Sequence, residues 1–394
     1  MNKKSFYGGV VTGVLSAAVV FGVLSFASAG IMAKNRETFS QENKLTYISS
    51  LLNQYYVDEI DNNKLVEGAC EGLVNGVGDP YTTYFSAEET EEFMSATNGE
   101  FCGIGVGILY NNQEKSATIS YLMDNSPAGE AGVLPGDKIT KVNGKSTSDM
   151  DQDTIVNNVR GPEGTTVEIT VYRESDGKEH MFKIKRAAID IQSVAGEVID
   201  GDIGYIYLSG FKANTYDQFM ECYNNLVSQG IKGLVIDVRD NPGGLLDSVE
   251  KIADEIIPEG NVVYTIDKEG NRKDFNADSE YIDIPLVMLV NGNSASASEI
   301  LSGAVQDRGR GKLVGTQTFG KGLVQNLYSI PDGSSVKITI EKYYTPKGVC
   351  IQGVGITPDY IVERTDDLPS VMLLEHEDDV QLSKAIEVLR TEMK

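Results

Sequence analysis

Ser296 stands in the run SASE, where an apolar segment gives way to small residues and then to helical spacing. A serine hydroxyl becomes a nucleophile only beside a base that takes its proton. Lys321 lies 25 residues downstream, and Gln325 four residues after that. Residues four apart share a face in a helix or a strand, so the glutamine can reach toward the lysine in either. A lysine acts as a base only when neutral. Moving its pKa from about 10.4 to about 7 means destabilising the ammonium by roughly 4 kcal/mol, a shift that burial supplies. Phe319, Leu323 and Val324 flank Lys321, and a glutamine orients an amine without the negative charge that would raise its pKa. A plainer reading competes: Ser296 with Glu299 three residues on is a capping box, which makes the hydroxyl a helix cap. Ser294 and Ser298 flank Ser296, and spacing alone does not choose among the three.

The elements that must position these residues can be read outward from them. PLVMLV, 285–290, is an apolar strand; Ala297, Ile300, Leu301 and Ala304 repeat at helical spacing after it, which puts Ser296 at a strand-to-helix elbow. From 187 to 365 strands and helices alternate. YIYLSGF is a strand, 216–229 a helix, and GLVIDVR a nearly continuous apolar strand of the kind buried on both faces. DNPGGLL follows, then a helix carrying Val249, Ile252, Ala253 and Ile256. This is the pattern of an α/β fold with sequential crossovers. Two glycines between a buried strand and a helix let backbone N–H groups approach a substrate, and with the N–H of Ala297 the amide of Gly243, or else Gly244, would form an oxyanion hole.

Upstream, 34–97 reads as helical, with Leu45, Ile48, Leu52, Tyr55 and Tyr56 in one repeat and Leu65, Val66, Ala69, Leu73 and Val74 in the next. Ser86 and Glu89 open a third, acidic helix. Residues 98–186 carry period-two stretches (ATISYLM, TVEITVY, HMFKIKR) and the loop GIGVGI. That loop lacks the further glycine of a dinucleotide site. A last amphipathic helix with Ala385, Ile386 and Leu389 closes an acidic tail, 366–394.

The 394 residues suffice for several domains, and a net charge of −24 offers phosphates no basic stripe, which argues against nucleic acid. Residues 7–33 are apolar or small and follow Lys3 and Lys4. The run exceeds a signal-peptide core, which favours a retained transmembrane anchor over a signal peptide cut at Ala27-Ser28-Ala29, and either one exports the body. Cys70, Cys102, Cys222 and Cys350 are scattered without a metal-ligand cluster, so neither metal nor cofactor is expected.

Taken together, Ser296/Lys321/Gln325, DVRDNPGGLL, GDPYTTYF, NSPAGEAGVLPGDKITKVNG and SVKITIEKYYTPKGVCIQGVGITPDY resemble the carboxyl-terminal-processing (tail-specific) serine proteases. The resemblance spans roughly 40–365. It implies a crotonase-like α/β protease core over 187–365 with Ser296 as nucleophile, Lys321 as general base and Gln325 holding the lysine. It further implies a β-rich PDZ domain over 98–186, in which Gly103, Ile104, Gly105 and Val106 bind a protein C-terminus by strand addition. Arg160 matches a PDZ arginine that faces the protease, and a homodimer is the assembly the family suggests. Two rival functions are a membrane-tethered PDZ adaptor with an inactive protease domain and, on the same fold, an enolate-stabilising enzyme of CoA thioesters; export and the Ser, Lys and Gln set count against the second.

Overall fold

The computed structural model describes residues 41–111, 115–123, 126–365, 370–371 and 374–393. The apolar stretch 7–33 lies outside these residues, and no helix among them is long and apolar enough to cross a membrane. The described residues up to Gly76 form one compact unit and those from Val77 another.

The first unit contains α1 (Gln41–Tyr55) and α2 (Asn62–Asn75), the latter started by the Asp61 carboxylate, which accepts the N–H groups of Asn63 and Lys64. The apolar repeat expected for α1 is present but largely uncovered within the chain: Leu45, Tyr47, Ile48, Leu51, Leu52 and Tyr55 are exposed.

The second unit opens with a short strand, β1 (Thr83–Phe85), and α3 (Ala87–Asn98). Ser86 and Glu89 close the expected capping box on α3. β2 (Glu100–Gly103) then leads into a sheet of β3 (Val106–Asn111), β4 (Ser116–Leu122), β5 (Lys138–Val142), β6 (Lys145–Ser146), β7 (Thr166–Arg173) and β8 (Lys178–Lys185). Asn143 and Gly144 both take positive φ, as the tight turn between β5 and β6 requires. The helices α4 (Pro127–Glu130) and α5 (Gln152–Val159) cover this sheet, and Ile119, Ile139, Ile155, Ile169 and Ile184 fill its core. β9 (Ala187–Asp190) returns beside β2, antiparallel, with Gly103 opposite Ala187. The chain therefore enters and leaves this subdomain through one two-stranded ribbon.

Beyond the ribbon come β10 (Val194–Ile199), β11 (Ile203–Leu208), α6 (Thr215–Ser228), β12 (Gly233–Asp237), α7 (Leu246–Ile256), β13 (Gly260–Asp267), β14 (Arg272–Ala277), β15 (Leu286–Val290), α8 (Ala297–Asp307) and β16 (Lys312–Gly315). The last elements are β17 (Leu323–Ser329), β18 (Ser335–Tyr344), β19 (Tyr360–Ile361) and α9 (Val380–Glu392). One sheet has the order β10-β11-β12-β15-β16-β19, parallel from β11 onward, and every residue of β12 and β15 is buried, as the apolar run of β15 and the nearly apolar run of β12 require. Its two faces are covered by α6, α7 and α8 with Phe219, Ile252 and Leu301, and by α9 with Leu382, Ala385 and Leu389. The C-terminal helix is thus part of this core.

A second sheet joins β1, β18, β13 and β14, with β17 against β18. β18 pairs with β17 along one edge and with β1 and β13 along the other. It is an interior strand of this sheet.

Candidate active site

Ser296 sits at the N-cap of α8, as its place between β15 and an apolar helix demands, and forms the expected capping box with Glu299. The Glu299 amide bonds to the Ser296 carbonyl oxygen at 2.8 Å, while the Ser296 N–H donates to Glu299 Oε2 at 2.9 Å. Ser296 has φ +55°, a left-handed conformation that a serine holds only when its surroundings over-determine it. Its neighbours are committed elsewhere: the Ser294 hydroxyl donates to the Val238 carbonyl at 2.7 Å and that of Ser298 to the Asn241 carbonyl at 2.9 Å, both buried. Of the three serines, Ser296 alone is partly exposed.

The fully buried Glu299 joins this elbow to the segment before β17. Its carboxylate accepts the Ser296 N–H, the Thr318 hydroxyl at 2.6 Å, the Gly320 N–H at 2.8 Å and the Lys321 N–H at 2.8 Å. The buried Tyr343 hydroxyl, from β18, reaches the carbonyl oxygens of both Ser296 and Lys321. Two side chains, one charged and one a phenol, thereby tie the serine backbone to the lysine backbone. The sequence marks Glu299 only as a cap partner, and it gives Tyr343 no signal.

Lys321 is half-buried, and burial pushes its pKa below the ordinary lysine value; Lys337 adds repulsion, while Asp79 and Glu299 pull the other way. The covering group is Tyr81, whose ring centroid lies 4.8 Å from Nζ. Phe319, expected to flank the lysine, is 56% exposed. Gln325 does not hydrogen-bond Lys321: its amide donates to the Thr339 hydroxyl across the sheet at 3.3 Å. Lys321 precedes β17, so no strand alternation links it to Gln325, and the register shift opposite Val324 and Gln325 puts its extra residue on β18, between Thr339 and Glu341. Ser296 and Lys321 share a site without a hydrogen bond between hydroxyl and ammonium.

The loop after β12 completes the elbow. Gly243 has φ +100°, and a Cβ there would lie 2.8 Å from Ser296 Cβ and 2.9 Å from the Ala297 nitrogen. Its own N–H donates to Asn241 Oδ1 at 2.8 Å, so this candidate oxyanion donor is occupied, whereas Ala297 N–H forms no backbone hydrogen bond. Asp240, at φ +59°, staples this loop to the serine loop by accepting the side-chain amides of Asn291 at 2.8 Å and Asn293 at 2.9 Å.

In the other subdomain, Ile104, Gly105, Val106, Ile155, Val156 and Arg160 line an apolar groove of about 190 Å³ between β3 and α5. The carbonyls of Ile104 and Gly105 accept from Ala128 and Met123 at 2.9 and 3.0 Å, and Gly103 ends the ribbon strand directly before them. Arg186 holds the far end of α5 by donating to the carbonyls of Asn158 and Val159. Arg160 is the exposed C-cap of α5 and lies at the groove. The four cysteines are free thiols, and no cluster able to hold a metal occurs among the described residues.

Three family models match this chain. Peptidase family S41 matches residues 202–362, a PDZ domain 118–173, and the N-terminal domain of the activating protease CtpB 14–90. A probable CtpA-like serine protease of Staphylococcus epidermidis is 36% identical over 356 residues, covering 89% of this chain and 72% of the relative. A carboxy-terminal-processing protease of Bartonella bacilliformis is 36% identical over 358 residues, covering 88% and 82%. Among solved structures, the photosystem II D1 C-terminal processing protease matches with a TM-score of 0.50 and 29% identity, covering 85% of this chain and 91% of that one.

Proposed function

Since the chain belongs to the carboxy-terminal-processing serine proteases of peptidase family S41, with a PDZ domain, we propose that Ser296 is its nucleophile and Lys321 its general base. The observation that carries this reading is the Glu299 carboxylate, which accepts the backbone N–H of both residues and so holds nucleophile and base in one site. Ser296 attacks the scissile carbonyl while Lys321 removes its proton. The lysine then returns that proton to the leaving amine, and water drawn through the same base releases the acyl group. Ala297 N–H supplies one oxyanion donor; the loop at 243–244 supplies the second, through Gly243 once its amide leaves Asn241, or through Gly244. Each such donor is worth about 3–4 kcal/mol. Gln325 enters the site only by turning from Thr339 toward the amine. The core fold is assigned to the crotonase-like class.

The PDZ groove takes an apolar C-terminus, with the loop at Gly103, Ile104, Gly105 and Val106 receiving the carboxylate. Arg160, at the groove, is assigned to coupling between peptide and protease. The exposed apolar side of α1 suits a homodimer, and residues 7–33 would export the body and anchor it to the outer face of the membrane.

The test is cleavage of an unstructured protein with an apolar C-terminus, from pH 6 to 10. Both Ser296→Ala and Lys321→Ala should lower kcat/KM by about a thousandfold or more while remaining folded. Wild-type activity should rise with pH as Lys321 loses its proton, with a midpoint below the ordinary lysine value of 10.5 because burial disfavours the ammonium. Unchanged cleavage by either variant would remove that residue from the mechanism.

A further inference from the structure

The segment 79–85 lies in the run GDPYTTYF, and the mechanism above does not use it. It docks as β1 on β18, with Thr83 opposite Lys337 and Tyr84 opposite Val336. Ahead of that strand the Asp79 carboxylate is fixed by the Tyr81 N–H at 3.1 Å and by the Thr82 hydroxyl at 2.7 Å. Thr82 Oγ1 in turn accepts the N–H of Thr339, the residue whose hydroxyl engages Gln325. The result is a rigid clip that lays the Tyr81 ring over Lys321, 4.8 Å from Nζ and well within cation–π range.

We infer that Asp79 and Tyr81 form a latch that holds the Lys321 ammonium in its charged form, off Ser296, and so sets the pH at which the protease becomes active. The inference rests on the reading of Lys321 as the base. The groups facing the lysine are Asp79 and Tyr81 on the clip, Glu299 on α8 and Lys337 on β18. Asp79 and Glu299 favour the ammonium, whereas Lys337 and burial oppose it. Glu299 is already saturated by four donors, and Asp79 acts through space without an ion pair, which leaves the aromatic face as the direct contact with the charge. Removing that face destabilises the ammonium, so the neutral amine, and with it activity, must appear at lower pH.

The experiment is the pH profile of kcat/KM for the full chain and its Tyr81→Phe, Tyr81→Leu, Asp79→Asn and Lys321→Ala variants, each checked for folding by circular dichroism. Tyr81→Phe keeps the ring and should keep the wild-type midpoint. Tyr81→Leu should move the midpoint down by about 0.4–1.5 pH units, the range that cation–π energies imply. Asp79→Asn should move it in the same direction, and it carries the test alone if the leucine variant does not fold. A merely structural clip would lower kcat without moving the midpoint. Inactive Lys321→Ala with unmoved midpoints in the Tyr81 and Asp79 variants overturns the latch and leaves the dyad standing. Full activity in Lys321→Ala overturns the dyad itself, and the latch with it.

Discussion

Glu299 carries four charge-assisted hydrogen bonds in a place closed to water. A glutamine there offers one acceptor oxygen to donors that now share two, and turns its own N–H₂ toward others. Glu299→Gln should therefore cost about 3 kcal/mol of stability and loosen the serine from the lysine, since hydrogen bonds to charged groups are worth roughly 1.5–3 kcal/mol each and partial compensation remains. Urea unfolding measures the first effect and kcat the second; an unchanged midpoint in urea would deny the carboxylate this role. At this scale the sequence offered the proposed reacting groups but not their supports. Ser296 and Lys321 stand in recognisable runs, whereas the bonds of Glu299 to the lysine loop, of Tyr343 to both backbones and of Tyr81 to the ammonium join residues that are distant in sequence. Local periodicity carries no trace of such pairings. The bond that Gln325 donates to Thr339 is hidden for a related reason: the pairing of β17 with β18 leaves no mark in local composition.

Among the elements, the strands buried on both faces and the helix starts were the most readable. β15 is an unbroken apolar run and β12 is apolar up to Asp237, and Ser86 with Glu89 caps α3 as expected. The turn between them and the helices is where backbone conformation matters more than side-chain type. Gly243 combines φ +100° with a Cβ site 2.7 Å from the Ala295 carbonyl oxygen and 2.8 Å from Ser296 Cβ. Those neighbours are held by Asp240 and Asn241 and cannot withdraw. Gly243→Ala should consequently lower kcat by about a hundredfold, the scale of one lost oxyanion donor, while leaving peptide binding by the PDZ groove intact. Calorimetric titration with an apolar C-terminal peptide, run beside the cleavage assay, separates the two. Equal loss of binding and cleavage would mean that the substitution acts through the whole fold.

For the molecule as a whole, the tail is fastened by charge as well as by apolar contact. Arg239, on the last turn of chain before the glycine loop, is 1% exposed and donates to Asp237, to both oxygens of Asp379 and to Gln381, at 2.6–3.0 Å. Burial alone would lower the guanidinium's pKa, but the two carboxylates override it and hold the pKa well above its ordinary value. Arg239→Met would leave two carboxylates buried without a cation, at a cost of about 3–5 kcal/mol, read as a lowered urea midpoint; a midpoint within error of wild type would refute the account. The sequence announced the amphipathic helix α9 but not this anchor, because opposite charges more than a hundred residues apart have no register to reveal them. The ribbon of β2 and β9 has a consequence for how the chain assembles. A folded PDZ domain holds its two ends one strand spacing apart, about 4.8 Å, so the protease core meets it as a tight turn. Were the same stretch still unstructured, bringing Gly103 to Ala187 would cost about 4 kcal/mol in chain entropy. The core is spared that search whenever the smaller domain folds first, which makes the order of folding, and not only the final contacts, a property of where the insertion sits.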